Sequence, residues 1–132
     1  MPILSRTFIV IGGLSLVLAN VLGAYGFHGL EGKIAPAELE AWQWAVQLHF
    51  LHSLGLILVA VLLSQAPRSI LLRLAGGLMI AGLVLFSASI YARVLGAPAV
   101  VGQVAPLGGG SFMLAWLFTA IAGFRLRPSA IL

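Results

Sequence analysis

The chain contains 132 residues, of which 61% are hydrophobic and only 8% are charged. Soluble domains usually carry about 25% charged residues, and a small soluble protein cannot bury this much apolar surface. The composition therefore excludes a soluble domain and indicates one membrane domain that occupies residues 1–132. The net charge of +4 comes from scattered basic residues, without the basic face of a nucleic-acid-binding protein. The absence of cysteine excludes disulfides and thiolate metal sites.

Uncharged apolar runs predict four membrane-spanning helices, because a span needs about 20 apolar residues. The predicted helices occupy about residues 7–26, 36–64, 70–96 and 107–125. The last of them is placed after Pro106, because proline suits the first turn of a helix. Trp42 and Trp44, near the start of the second helix, are expected at the headgroup level. The predicted fold is an all-α integral membrane four-helix bundle.

The basic residues predict the orientation of this bundle. Five arginines flank the side that holds both termini and the loop between the second and third helices: Arg6, Arg68, Arg73, Arg125 and Arg127. Lys33 and Arg93 are the basic residues on the other side, which also carries all three glutamates. Because basic residues in short loops favour the cytoplasmic side, both termini are predicted to be cytoplasmic. The first apolar run, ending near Gly26, also resembles a signal peptide, but it is long for one, and we expect no cleavage.

Polar side chains inside lipid are costly, so the few in the predicted spans are the candidate functional residues. Nearly all lie in the half of the membrane opposite the termini. The candidates for ligand binding are Asn20, His28, His52, Ser87, Tyr91, Arg93, Gly108 and Gly109. We predict that His28, Tyr91 and the two glycines form a polar pocket, since short loops bring neighbouring helices together. An anionic group there would face Arg93 and the free N–H groups at the start of the fourth helix.

The glycines and the arginine also have a purely structural interpretation. Gly108 and Gly109 would permit close packing against the first helix, because membrane helices associate through small residues. The Arg93 side chain would then extend to the lipid headgroups. The pairs Gly12-Gly13 and Gly76-Gly77 indicate close helix contacts for the same reason.

The three histidines invite a metal-site interpretation, since His49 and His52 share one helix face at a spacing used by metal ligands. However, His28 is expected near the surface while His52 lies deeper, and no carboxylate is within reach at that depth. We therefore predict no metal and no cofactor, and we expect the histidines to make interhelical hydrogen bonds. A wet ligand pocket around them is the remaining alternative.

Four ordered motifs resemble those of a known family, the small bacterial inner-membrane proteins of the domain of unknown function 423 family. The motifs are Gly23-Ala24-Tyr25-Gly26-Phe27-His28-Gly29-Leu30, His52-Ser53-Leu54, Leu85-Phe86-Ser87-Ala88-Ser89-Ile90-Tyr91, and Pro106-Leu107-Gly108-Gly109 followed by Ser111-Phe112 and Trp116. The resemblance covers nearly the whole chain and implies a four-helix membrane protein with relatives in mitochondria. It implies no reaction, because the role of the family is not established. Leu48 and Ala105 depart from it, since members often carry tyrosine and threonine there.

No catalytic constellation supports an enzyme. The sequence contains no G-x-S-x-G or H-E-x-x-H motif and no acidic residue deep in a predicted span. A transporter or an enzyme is therefore the least favoured interpretation. The favoured one is a non-enzymatic accessory or assembly protein that packs against other membrane proteins or against copies of itself. The alternative is a protein that binds a lipid or another amphipathic small molecule through the outer polar pocket. Membrane lipids surround the chain in either case, and nucleic acid is not a partner.

Overall fold

The computed structural model describes residues 1–127 of the chain. This part is built around four long apolar helices. They are α1 (Ile3–Leu30), α2 (Pro36–Gln65), α3 (Ile70–Val94) and α4 (Ala105–Arg125), with a short helical segment, Ala99–Gly102, before α4. Each is long and apolar enough to cross a membrane, which confirms the predicted all-α membrane fold. A helix satisfies its own backbone polar groups, as the bilayer interior requires.

The ends of the helices follow local turn chemistry. Pro36 occupies the first turn of α2, where its missing N–H removes no hydrogen bond. The Ser69 side chain caps α3 by accepting a hydrogen bond from the N–H of Leu72 at 3.3 Å. Gly32 and Gly96 have positive φ values of 77° and 111° and turn the chain after α1 and α3. These turns separate the four spans.

Two segments of π-helix interrupt the regular α-helices, and the first of them changes a bound expected from the sequence. α1 runs well past the predicted end at residue 26, because its last turn, Gly26–Leu30, continues as π-helix. Within α3, a second π segment covers Leu83–Ala88. Such segments are rare and occur frequently at functional sites. The second of them lies beside the polar residues described below.

α2 is the central helix and the most buried of the four. α1 packs along α2, α3 packs along α4, and α2 packs against α3. Gly55 of α2 also faces the side chains of Trp116 on α4 and Met79 on α3. Consequently α1 and α4 lie on the outside of the bundle and provide much of its lipid-facing surface.

The first glycine of each predicted pair makes a close helix contact. A Cβ on Gly12 would lie 2.7 Å from the Ile57 side chain of α2, and one on Gly76 would overlap the ring of Phe8 on α1. The second glycines, Gly13 and Gly77, face open space. In each pair, therefore, the first glycine packs against a neighbouring helix and the second lies on the outside of the bundle.

The core consists of two apolar clusters with a polar layer between them. The cluster near the termini contains Phe8, Leu56, Val59, Ala60, Leu63, Leu72, Ala75, Met79, Ala115 and Ala122. The cluster at the opposite end contains Leu30, Trp42, Ala45, Val46 and Tyr91. On α2, the residues between the two clusters include His49, His52 and Ser53, all of which are buried. The polar residues therefore lie inside the bundle and not on its lipid surface.

The two tryptophans near the start of α2 have different surroundings. The Trp42 side chain is fully buried, and its indole N–H donates to the Leu22 carbonyl at 2.9 Å. Trp44 is 54% exposed, as a residue of an interfacial aromatic belt should be. The two tryptophans differ because only Trp42 faces α1 and α3.

Candidate functional site

A chain of hydrogen bonds joins three helices in the polar layer. Ser15 Oγ on α1 lies 2.8 Å from His49 Nε2 and 2.7 Å from Ser53 Oγ, both on α2. The other ring nitrogen of His49, Nδ1, lies 3.0 Å from the Tyr91 hydroxyl on α3. His49 therefore makes the interhelical hydrogen bonds that the sequence predicts for the histidines. The chain of bonds fixes α1 and α3 on two sides of α2.

Tyr91 is held by aromatic packing as well as by His49. Its ring centroid lies 4.7 Å from that of Trp42, and the Trp42 ring meets Tyr25 edge-on at 5.8 Å. One turn deeper on α3, the Ser87 hydroxyl donates to the Ala45 carbonyl of α2 at 2.9 Å. Tyr91 and Ser87 thus bind α3 to α2, and only the hydroxyl end of Tyr91 reaches the polar layer.

His52 lies about one turn further along α2 than His49 and packs against α4. Its ring stacks on Phe112 with a centroid separation of 3.5 Å and an interplanar angle of 9°. Its Nδ1 atom lies 2.8 Å from the Leu48 carbonyl, so this hydrogen bond lies within α2. The sequence had predicted a hydrogen bond between helices. Among residues 1–127, no three His, Cys, Asp or Glu side chains are grouped to hold a metal ion.

The π segment of α3 sets the register of these residues. Ser89, which directly follows it, donates to the carbonyls of Leu85 and Phe86 at 2.6 and 2.9 Å. A serine in a membrane helix can satisfy backbone carbonyls in this way where the regular ladder of hydrogen bonds is interrupted. Ser87 and Tyr91, four residues apart, both face α2.

A groove between α1 and α3 opens beside the polar layer. It has a volume of about 220 Å³ and is lined by Ser15 and Leu18 of α1, His49 of α2, and Leu83, Val84 and Tyr91 of α3, among others. Leu18 and Val84 are also exposed on the outside of the bundle. We name this feature the α1–α3 groove. Its surface is almost wholly apolar, because the polar atoms of the lining residues are turned towards one another.

The polar pocket expected from the sequence does not form as predicted. His28 is exposed on the π turn at the end of α1, while Tyr91 is buried and covered by the Trp42 ring. Gly108 packs directly on the backbone of α3 at Leu85 and Phe86, so no space for a ligand exists there. Gly109 faces open space on the outside of α4. The predicted pocket is absent because α4 packs closely on α3. The structural interpretation of the two glycines had expected them to pack against α1.

The remaining candidates lie apart from one another. Asn20 is exposed on α1, and its Nδ2 atom donates to the Leu16 carbonyl of the same helix at 2.9 Å. Arg93 is exposed at the end of α3, and its aliphatic stem packs near Gly102. Of the eight candidates, Tyr91 and Ser87 line the α1–α3 groove, and the other six do not.

Three members of the hydrogen-bonded chain, Ser15, His49 and Ser53, were not among the predicted site residues. Serine is common in membrane helices, so neither serine stands out in a single sequence. A usable signal is the spacing of His49 and Ser53, which are four residues apart and therefore share one face of α2. The partner on α1 could not be selected from the sequence, because the rotation of α1 about its axis depends on packing.

Comparisons with known proteins place the chain in a family. A family model described as protein of unknown function (DUF423) matches residues 22–109. The chain belongs to the DUF423 family. It is 40% identical to the UPF0382 membrane protein YwdK of Bacillus subtilis over 91% of this chain and 98% of that protein. It is 37% identical to a UPF0382 membrane protein of Staphylococcus aureus and 36% identical to one of Staphylococcus haemolyticus, over 91% of this chain and 97% of each relative.

Membership of DUF423 confirms the predicted resemblance and the membrane location. No solved structure matches the chain. The matched region contains His49, Ser53, Ser87 and Tyr91, whereas Ser15 lies before it. The DUF423 description assigns no reaction, so the function has to be argued from the geometry of this chain.

Proposed function

We propose that the protein is a non-enzymatic accessory or assembly protein of the bacterial inner membrane that packs against another membrane protein through one face of α1. The observation that carries the proposal is the exposed amide of Asn20 on the least buried of the four spans. Gly13 and Ala24 lie seven residues before it and four residues after it. At 3.6 residues per turn, the three positions form one stripe along the helix. We name Gly13, Asn20 and Ala24 the α1 stripe.

Small residues and an amide are the combination that associates helices in lipid. Lipid tails are as apolar as leucine, so close backbone approach and interhelical hydrogen bonds drive the association. A side chain added at Gly13 would touch nothing within 4 Å, so this position is open to an approaching helix. Asn20 uses Nδ2 within its own helix, which leaves Oδ1 without a partner in the described chain. A hydrogen bond from a partner helix to Oδ1 is worth about 0.6–1.7 kcal/mol.

The proposal includes the orientation of the bundle, with both termini in the cytoplasm. Four antiparallel crossings bring the N-terminus, the loop between α2 and α3, and the end of α4 to one face of the membrane. Arg68 and Arg125 line a common groove at this end. The concentration of arginine there supports a cytoplasmic location, because basic residues in short loops are retained on that side.

Variants of the α1 stripe test the proposal. Asn20→Leu removes the amide and Gly13→Leu blocks close approach, and we expect either change to reduce recovery of a stoichiometric partner in mild detergent by at least about fivefold. Gly77→Leu is the matched control, because Gly77 is an equally open glycine on α3. Native mass spectrometry gives the mass and stoichiometry of the complex. Recovery that is unchanged in both stripe variants would contradict the proposal, and so would a complex that contains only copies of this chain.

We also propose a second candidate function, the binding of an amphipathic small molecule. The α1–α3 groove supports it, because it is an almost wholly apolar opening between two helices, with His49 and Tyr91 among its lining residues. This groove is not the outer pocket that the sequence predicts. That pocket has no space, because Gly108 of α4 packs on the backbone of α3. In the same mass spectra, a retained mass of lipid size that persists in Asn20→Leu would support this function and separate it from partner binding. A spectrum of the bare chain without such a mass would count against it.

A further inference from the structure

Two of the arginines at the end of the bundle that holds both termini line one groove. Arg68 belongs to the loop between α2 and α3, and Arg125 is the last residue of α4. The groove has a volume of about 360 Å³, and Ser69, Ile70 and Leu126 are among its other lining residues. We name it the arginine groove. It shares no lining residue with the α1–α3 groove, so a ligand bound here would occupy a separate site.

No acidic side chain neutralises the arginine groove. The acidic residues of the chain are Glu31, Glu38 and Glu40, and all three lie at the opposite end of the bundle. Glu40 and Gln65, near the two ends of α2, are roughly 38 Å apart at the usual rise per residue. The guanidinium groups therefore leave an uncompensated positive charge at this end, and such a charge attracts an anionic group.

The hydrogen-bond donors of the arginine groove suit a phosphate group. Arg73, which lies outside the groove, donates to the Pro67 carbonyl at 2.7 Å and is held by the loop. Arg68 and Arg125 make no such side-chain hydrogen bond within the described chain. Ser69 Oγ accepts the hydrogen bond that caps α3, so its own hydroxyl hydrogen is available to an acceptor. A guanidinium group presents paired N–H donors that match two oxygens of a phosphate.

Apolar side chains continue the arginine groove towards the membrane interior. Ile70 lines the groove and is 69% exposed, and Leu74, one turn further along α3, is 49% exposed. Leu126 lines the groove from the end of α4. A free phosphate ion would leave this apolar surface uncovered. The acyl chains of a phospholipid cover it when the phosphate lies at the level of the two arginines.

The positive charge, the donors and the apolar surface together define the ligand. We propose that the arginine groove binds one phospholipid with an anionic, amine-free headgroup, of the phosphatidylglycerol type, whose phosphate contacts Arg68 and Arg125. Basic pockets at the ends of membrane helices bind anionic headgroups in this way. A zwitterionic headgroup is disfavoured, because its ammonium group would meet two guanidinium groups and no carboxylate. The inference goes beyond both functions proposed above and depends on neither.

Native mass spectrometry of the full chain, titrated with dioleoylphosphatidylglycerol in mild detergent, tests the proposal. We expect one lipid to bind first, and dioleoylphosphatidylethanolamine to bind at least about tenfold more weakly. Arg68→Gln and Arg125→Gln should each raise the dissociation constant about fivefold, the usual contribution of one arginine near anionic lipid. Arg6→Gln is the matched control, because Arg6 is exposed at the same end but outside the arginine groove. This change should have less than about a twofold effect.

The same titrations contain the results that would overturn the proposal. Weakening by Arg6→Gln as large as that by Arg68→Gln would show a general attraction of lipid to this end and no site. Equal binding of the two lipids would show that the headgroup charge does not select the ligand. Displacement of the lipid by inorganic phosphate would show that the ligand is a free anion, and a lipid unaffected by both groove variants would lie elsewhere. All three arginines are exposed, so unchanged thermal unfolding of the lipid-free variants shows that each remains folded.

Discussion

At the scale of single residues, several buried polar side chains of this bundle are paired across helices. Ser87 donates to the Ala45 carbonyl, and Ser111 of α4 donates to the Leu78 carbonyl of α3 at 2.8 Å. Within residues 1–127, Ser5 Oγ is the buried side-chain polar atom without a hydrogen-bond partner. Ser5 lies in the first turns of α1, so no earlier helical carbonyl is available to its hydroxyl. An unpaired buried hydroxyl costs about 1–3 kcal/mol.

Ser5→Ala should therefore raise the stability of the bundle, since it removes the unpaired hydroxyl and favours the helix. Ser87→Ala is the matched comparison, because Ser87 is as deeply buried but hydrogen-bonded, and this change should lower stability. Thermal unfolding of both variants in one detergent measures the two effects. A loss of stability in Ser5→Ala as large as that in Ser87→Ala would show that Ser5 has a partner after all.

The sequence identifies the polar residues but not their partners. His49 and Tyr91 stand out because polar groups are rare in these apolar runs. Which of them meet depends on the rotation of each helix, and periodicity does not define that rotation when most faces are apolar. His28 illustrates the limit, since its motif position predicts a pocket while the structure places it on an exposed turn.

At the scale of secondary structure elements, glycines determine how closely α4 approaches α3. A Cβ on Gly108 would overlap the backbone of Leu85 and Phe86, whereas one on the next residue, Gly109, would touch nothing within 4 Å. The sequence Gly108-Gly109-Gly110 predicts close packing somewhere along this turn. It cannot say which glycine faces the neighbouring helix or which helix that is.

The two adjacent glycines give a direct comparison of the packed and the open position. Gly108→Ala should lower the unfolding temperature clearly, because rigid backbone cannot move aside, and overpacking costs roughly 1–3 kcal/mol. Gly109→Ala should be neutral or slightly stabilising, since alanine favours helix by about 1 kcal/mol over glycine. Thermal unfolding followed by circular dichroism measures both. Equal losses in the two variants would contradict the close packing of α3 on α4.

The sequence does not predict the two π-helical segments. Apolar length predicts where spans lie, because the bilayer thickness sets it. The length of an apolar run does not predict the π-helical turn in Leu83–Ala88. It also does not predict that α1 continues through Gly26–Leu30. At the start of the Gly26–Leu30 segment, a Cβ on Gly26 would lie 2.7 Å from the Trp42 ring, so this position requires glycine. The sequence alone does not show which neighbour Gly26 meets.

At the scale of the whole molecule, the fold was predictable because composition and apolar run length together leave few alternatives. A chain with 8% charged residues and four apolar runs can satisfy its backbone in lipid only as helices or as a closed barrel, and the run lengths select helices. The arrangement of the helices was not predictable in the same way. The central position of α2 follows from contacts such as that of Gly55 with Trp116.

Reporter fusions test the orientation of the whole bundle. A fluorescent protein that matures only in the cytoplasm should be bright when it is fused to the C-terminus. Alkaline phosphatase, which is active only outside the cytoplasm, should be inactive there but active when it is fused after Gly96, in the turn that follows α3. The prediction follows from the arginines at the end that holds both termini. The reverse pattern of activity would show that the termini are outside.

The most direct test of the account is photo-crosslinking from the α1 stripe in intact membranes. A photoreactive benzoylphenylalanine replaces Val17, which is 61% exposed and lies between Gly13 and Asn20. We expect one discrete protein adduct that is lost when Asn20→Leu is added. The same group at Leu117 of α4, which is 52% exposed, should react with lipid alone. Lipid adducts alone at Val17, or protein adducts of equal yield at both positions, would contradict the proposal that α1 packs against a partner.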